Sequence, residues 1–198
     1  MKHKKYTIQP VAGENLRVTI FKNILQQIKG KTLVDLGAGH CQYSILALKA
    51  GFDVTAVDAR TVRVPHDLPY EIKFIRTNAI NFDLSSFDVV CILGLLYHLA
   101  LDEQITLLKN CKGKITIIDT HLADNATVKL QGYEGKYYRE ARNTGQMMKN
   151  PKASVTTLNS FWHTYMSFFK LLENSGFSEV TIVNPEHYPY RTFFICKP

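Results

Sequence analysis

The chain has 198 residues, of which 21% are charged and 45% hydrophobic, and a formal net charge of +7. That is ordinary for one soluble globular domain with a sizeable core, and nothing suggests a second domain. The basic start MKHKKYTIQP lacks a following apolar segment, which excludes a secretory signal, and the longest apolar stretch, Phe87 to Leu101, is broken by Gly94 and His98 and too short for a bilayer. A cytoplasmic location without a membrane partner is therefore expected. Cys41, Cys91, Cys111 and Cys196 form no C-x-x-C pair, so reduced thiols are expected rather than disulfides, and no metal. Lys and Arg gather in the amino-terminal tail, at Arg60 to Arg76 and at Lys129 to Lys152. Such a surface attracts RNA, a phosphorylated substrate or only counterions.

In chain order, residues 1 to about 12 read as a loose tail. Glu14 to Ile28 carries a helical stripe of Leu16, Ile20, Phe21, Ile24, Leu25 and Ile28, stopped by Gly30. The central stretch follows, KTLVDLGAGHCQYSILALKAGFDVTAVDAR. Thr32 to Leu36 is a strand broken at Gly37-Ala38-Gly39, Gln42 to Ala50 a helix, and Phe52 to Val57 a second strand ending on Asp58. A strand-turn-helix-strand unit of this length is a right-handed crossover, and ligands bind where its glycine turn leaves the strand. Residues without side chains let the backbone turn sharply and let a ligand approach. A carboxylate at the end of the second strand can accept both hydroxyls of a ribose, which makes Asp58 a nucleoside-binding candidate.

Thr61 to Tyr70, with Pro65 and Pro69, reads as a loop or short helix, and Ile72 to Arg76 as the third strand, leading to Thr77-Asn78-Ala79. Phe87 to Leu93 is the fourth strand and runs into Gly94-Leu95-Leu96-Tyr97-His98-Leu99; Asp102 to Asn110 is a helix and Lys114 to Asp119 the fifth strand, followed by Thr120 and His121. Leu122 to Ser160 shows no hydrophobic period, holds six basic residues against three acids, and is long for a bare connection, so it is expected to be a functional lid within the single domain 1–198. Phe161 to Glu173 returns to helical spacing. Glu179 to Val183 and Thr192 to Cys196 are the last strands, an antiparallel pair joined through NPEHYPYR.

Two cofactor families share a glycine turn followed by an acid. A dinucleotide site places a third glycine three positions after Gly39, where this chain has Gln42, which speaks against a nicotinamide oxidoreductase. An acid two residues before the first glycine, Asp35 in DLGAG, is instead the habit of class I S-adenosylmethionine-dependent methyltransferases, and the chain resembles that superfamily along most of its length. In the usual D/E-x-G-x-G-x-G form the last glycine is here Cys41. The resemblance implies an α/β, Rossmann-like fold: a seven-stranded, mostly parallel sheet with an antiparallel last strand and helices on both faces. It also implies S-adenosylmethionine as cofactor, S-adenosylhomocysteine as product, and Asp35, Gly37, Ala38, Gly39, Asp58, Ala59, Asn78, Ala79 and Leu93 as cofactor-binding residues. The family commonly has Asp at the position of Asn78, bonded to the adenine amino group; asparagine can accept the same bond or simply shape the turn. GLLYHL looks like the matching segment of tRNA wobble-uridine carboxymethyltransferases, in which the tyrosine helps bind the carboxylated cofactor.

Methyl transfer is an in-line displacement from a sulfonium, so alignment and exclusion of water come first. A hydroxyl acceptor must also lose a proton, for which histidine is the usual base. The catalytic candidates are His121 and His98, both at strand ends, and Tyr97, whose ring could also stabilise the sulfonium. His163, on the face of an aromatic helix, reads as structural. Tyr97, Tyr137, Arg139 and Trp162 are the substrate-binding candidates, under a basic and aromatic lid. An N/D-P-P-Y/F motif is missing after the fourth strand, Cys91 lies inside that strand, and no carboxylate cluster is visible. These count against planar-amine, pyrimidine C5 and metal-dependent methylation in turn. The expected function is methyl transfer to a small acceptor, anionic in this reading, at O or N; RNA is the second acceptor class and a non-catalytic binding protein of the same fold the alternative. Oligomeric state is left open.

Overall fold

The computed structural model describes the backbone of residues 5–11, 16–185 and 191–198, and the side chains of residues 16–183 and 191–198. The elements run β1 (Lys5–Val11), α1 (Leu16–Gln27), β2 (Thr32–Leu36), α2 (Gln42–Lys49), β3 (Asp53–Asp58), β4 (Lys73–Arg76), β5 (Val89–Leu93), α3 (Leu101–Asn110) and β6 (Ile115–His121). Then come β7 (Val128–Leu130), β8 (Tyr133–Arg139), α4 (Thr144–Lys149), β9 (Asn159–His163), α5 (Tyr165–Asn174), β10 (Glu179–Pro185) and β11 (Arg191–Lys197). Residues 1–4 and 12 of the expected tail, the expected helix start at Glu14 and residues 186–190 of NPEHYPYR lie outside the described residues.

The main sheet is ordered β1-β10-β11-β6-β5-β2-β3-β4, and β11 alone runs against the rest. It has eight strands, one more than expected, because residues 5–11, read as part of a tail, pair in parallel with β10 from Lys5↔Glu179 to Val11↔Pro185. A short polar-apolar run offers no sequence signal for an edge strand whose partner lies over 170 residues away. The central strands explain themselves. β5 is buried at all five positions and β2 at four of five, as strands covered on both faces must be. One face is closed by α1 and α2 through Leu16, Ile20, Phe21, Ile24, Tyr43 and Ala47. The other is closed by α3 and α5 through Leu107, Leu108, Phe168, Leu171 and Leu172.

The region expected to be an aperiodic lid contains a second, antiparallel sheet, β7-β8-β9, and the short α4. Phe161, Trp162 and His163, assigned by spacing to a helix, lie instead on β9, which pairs with β8 from Gly135↔His163 to Arg139↔Asn159. The helix begins only at Tyr165, after Thr164 accepts the Ser167 N–H as its cap. This small sheet leans on the core through Phe161, which is fully buried and donates its N–H to Leu99 O at 3.1 Å.

Candidate active site

β2 sits between β3 and β5, so the connections leaving its carboxyl end diverge and open a crevice there. A cavity of about 390 Å³ occupies that crevice. Its floor is the glycine turn. Gly37 (φ 74°) and Gly39 (φ 53°) both take left-handed backbone; a Cβ on Gly37 would meet Leu95 at 3.0 Å. Cys41 also stands at φ 54°, which explains why the related motif carries glycine at this position. The Cys41 side chain is fully buried in the core cluster formed with α1 and α2.

Asp58 closes one end of the cavity. It is 8% exposed; Gly39 donates its N–H to one carboxylate oxygen at 2.9 Å and Arg60 its N–H to the other at 2.8 Å. The glycine turn and the end of β3 are thus tied together by the carboxylate expected to meet the ribose. Asn78 shapes its turn, as one of the two readings held: its Oδ1 accepts the Ile80 N–H at 3.0 Å and caps a single helical turn, Ala79–Asn81. It also lines the cavity, with Ala59, Ala79 and Leu93.

Asp35 stands apart from the other cofactor candidates. It is 1% exposed, outside the cavity lining, and accepts the Ser44 hydroxyl at 2.6 Å, pinning the first turn of α2 to β2. Burial, against the lowering effect of that bond, raises its pKa to about 6. Its place is behind the turn rather than in contact with a ligand.

The two histidines at strand ends differ sharply. His121 does not line the cavity. Its ring is stacked on Trp162 at 5.1 Å, and its Nε2 lies 2.7 Å from Arg191 Nη1, a donor, so that nitrogen must accept. Burial first, then Arg191, lowers its pKa to about 4. A base needs a lone pair and proton affinity near the working pH; His121 has neither to offer. His98, on the helical turn Leu96–His98, does line the cavity. Its Nδ1 lies 2.9 Å and 3.0 Å from the two oxygens of Glu140, whose side chain is 2% exposed. A carboxylate only accepts, so Nδ1 carries the hydrogen and Nε2 keeps its lone pair. Sequence reasoning missed Glu140, which sits in the YEGKYYREAR run without any periodic signal.

Tyr97 lines the cavity, its ring 4.3 Å from that of His98 and 5.3 Å from the Arg191 guanidinium. Trp162 stands outside the lining and supports this wall, donating Nε1–H to Tyr97 O at 2.9 Å and stacking on Tyr138 at 4.7 Å. Tyr137 and Arg139 do not reach the cavity; Tyr137 is 52% exposed and Arg139 is turned to the carbonyls of Ala141 and Arg142. The alternation of β8, unseen in the sequence, faces them elsewhere. His163 is buried on β9 rather than on a helix face; its Nδ1 lies 2.9 Å from the Ser167 hydroxyl, while its Nε2 is buried without a hydrogen-bond partner, so it is not the satisfied residue expected.

Most of the cavity's basic residues, Arg17, Arg60, Arg63 and Arg191, come from outside the lid, which adds Lys152. Asp119, fully buried, is held by Arg191 through Nε and Nη2, both at 2.9 Å, and by Arg17 through Nε at 2.7 Å and a further bond from Nη2. Burial would lower the Arg191 pKa, but Asp119 outweighs it and the group is raised. Two guanidinium ions against one carboxylate leave one net positive charge over Gly94, with Arg63 beside Gly39. The lid does contribute a roof, residues 151–156.

Among the described residues no cluster of His, Cys, Asp and Glu could hold a metal ion, and no helix is long and apolar enough to cross a membrane. Burial pushes the Cys41 thiol up to about 11 and Cys91 well above its ordinary value, so neither is an activated nucleophile.

No family model and no curated protein matches the chain in sequence. Solved structures match in fold. The N-terminal domain of EvdMO1, determined with S-adenosylhomocysteine and D-fucose, superimposes with a TM-score of 0.72 at 21% identity, over 91% of this chain and 79% of that one. The Burkholderia thailandensis 1,6-didemethyltoxoflavin-N1-methyltransferase, bound to its substrate and S-adenosylhomocysteine, gives 0.65 at 16% identity, over 92% and 78%. Human N-acetylserotonin methyltransferase in complex with S-adenosylmethionine gives 0.59 at 16% identity, over 89% of this chain and 51% of that one. The chain therefore has the fold of the class I S-adenosylmethionine-dependent methyltransferases.

Proposed function

We propose that the protein is an S-adenosylmethionine-dependent methyltransferase acting on a small acceptor. The observation that carries this reading is the cavity itself: the glycine turn, Asp58 and Asn78 frame one end, and Tyr97 and His98 stand at the other. Asp58 would hold the ribose, the Asn78 turn would meet the adenine, and the net charge of Arg17, Asp119 and Arg191 suits a carboxylate, whether of the cofactor's amino acid or of the acceptor. Residues 151–156 roof the cavity, which favours a small molecule over an RNA strand. The neighbours crystallised with D-fucose and with 1,6-didemethyltoxoflavin support the same size of acceptor.

S-adenosylmethionine, held by the glycine turn, Asp58 and Asn78, would supply an electrophilic methyl to the acceptor oxygen or nitrogen, with the carbon–sulfur electron pair retained on sulfur as the neutral thioether. The chain supplies alignment, exclusion of water under the roof, and a proton acceptor: an O–H or N–H proton of the acceptor passes to His98 Nε2, while Nδ1–H remains on Glu140. Side-by-side calorimetric titration with S-adenosylmethionine, S-adenosylhomocysteine and NAD tests the reading. Binding of the first two alone supports it; binding of NAD, or of none, overturns it.

A further inference from the structure

One chain of contacts runs from the ribose end of the cavity to the histidine at its other end. Arg60 follows Asp58 by two residues and is tied to it through its own N–H. Its guanidinium donates to Met147 O on α4 at 2.9 Å and to two backbone carbonyls of the roof segment that follows, Ala153 O at 2.6 Å and Ser154 O at 3.4 Å. The same segment then turns its Ser154 N–H to Glu140, 3.1 Å from Oε2. Glu140 also accepts the Ser160 hydroxyl at 2.8 Å and the His98 Nδ1–H. A buried carboxylate needs its donors. One of the donors of Glu140, the Ser154 N–H, thus belongs to the segment that lies across the cavity.

We propose that Glu140 is a positioning residue that couples closure of the roof segment over the cofactor, latched by Arg60, to the orientation and tautomer of His98. This rests on the reading of the cavity as a methyltransferase site. With the segment closed, Glu140 is fixed by Ser154 and Ser160 and holds His98 with Nε2 free. With the segment open, Glu140 loses the Ser154 donor, and the histidine loses a fixed partner. The acceptor's proton would then find its base in place only after the adenosine end is occupied. The other titratable groups against His98 are Tyr97 and His121, the latter held neutral near pH 7 by burial and Arg191. Glu140 is the one anion described in contact with it.

The test uses the full chain labelled with ¹⁵N-histidine, with S-adenosylhomocysteine as the probe and the His98 signal assigned from His98→Asn. Wild type should show His98 as the Nδ1–H tautomer, and ligand should slow exchange of that proton and of the Ser154 amide. Glu140→Ala should remove the acceptor at Nδ1 and shift the ring toward the Nε2–H tautomer, read from its ¹⁵N shifts, whereas Glu140→Gln, whose amide oxygen still accepts, should restore Nδ1–H. Arg60→Ala, compared at saturating ligand, should abolish the slowing; Arg60→Lys, whose single head group cannot span three carbonyls, should weaken it. An unchanged Nδ1–H tautomer in Glu140→Ala overturns the positioning role. A wild-type His98 and Ser154 amide indifferent to bound ligand, or an Arg60→Ala protein indistinguishable from wild type, overturns the coupling. Failure of wild type to bind the ligand at all would instead sink the methyltransferase reading, while loss of the Nδ1–H tautomer in Glu140→Ala would still uphold the Glu140–His98 pairing.

Discussion

Asp58→Asn tests the cofactor assignment most directly. The substitution keeps the shape of the side chain but removes its charge and turns one acceptor oxygen into a donor. Two backbone N–H groups already rely on that carboxylate, Gly39 at 2.9 Å and Arg60 at 2.8 Å, and ribose hydroxyls would add to the same oxygens. The amide can satisfy only one side, so a donor faces a donor either in the turn or at the ribose. Hydrogen bonds to charged groups contribute about 1.5 to 3 kcal/mol, which corresponds to a roughly 10- to 150-fold rise in the dissociation constant for S-adenosylhomocysteine. Calorimetry reads the affinity, and circular dichroism with a cooperative melt shows that the variant is folded. A folded Asp58→Asn protein with wild-type affinity would refute the ribose assignment and the cofactor pose built on it.

His98→Asn should lower methyl transfer from labelled S-adenosylmethionine to a panel of small hydroxyl acceptors by about 10²- to 10⁴-fold, with S-adenosylhomocysteine affinity within threefold of wild type; equal turnover would remove it as the base. Asp35 holds its proton more tightly folded (about 6) than unfolded (3.8), so its ionisation erodes stability as pH rises from about 3.8 to 6. Asp35→Asn, which can still accept the Ser44 hydroxyl, should therefore gain up to about 3 kcal/mol at pH 7 and nothing near pH 4, read by urea denaturation at both; a gain independent of pH would refute the buried-charge argument. Burial lowers His163 to about 3, so the opposite sign applies: its contribution is complete above 6.5 and lost as pH falls below it, at about 1.4 kcal/mol per pH unit. His163→Phe should flatten the acid limb of the stability profile, and an unchanged slope would refute this.

How much of this was legible in the sequence depended on whether the signal was local. The strand of Thr32 to Leu36, its glycines and the acid at Asp58 follow from nearest-neighbour chemistry, and the structure places them together at the cavity. The two helical faces were equally legible, since α1 and α5 carry their apolar residues at turn spacing. Failures were of register and partner. Residues 161–163 share the helical spacing of Phe161 to Glu173 and are nonetheless strand, because β9 pairs with β8 while its Phe161 enters the core. β1 depends on β10, near the other end of the chain. Arg17 and Arg191 were invisible as a pair for the same reason: 174 positions separate them, and only the meeting of α1 with β11 over Asp119 brings them into one site.

The two histidines show why residue type and strand-end position do not settle a role. Both follow a parallel strand at its carboxyl edge, and on that ground they were equivalent. What separates them is the sign of the group beside each ring. Against His121 the fold sets Arg191, a donor that cannot give up its charge; it occupies the only lone pair and makes protonation costly. Against His98 it sets a carboxylate delivered from another part of the chain, which fixes the hydrogen on Nδ1 and leaves Nε2 turned to other partners. The small antiparallel sheet that delivers Glu140 is thus more than a cover. It carries the carboxylate that fixes the tautomer of one of the two histidines, and its roof segment bonds to that same carboxylate. The parallel half of the fold holds the glycine turn and Asp58; the proposed base takes its partner only where the second sheet meets it.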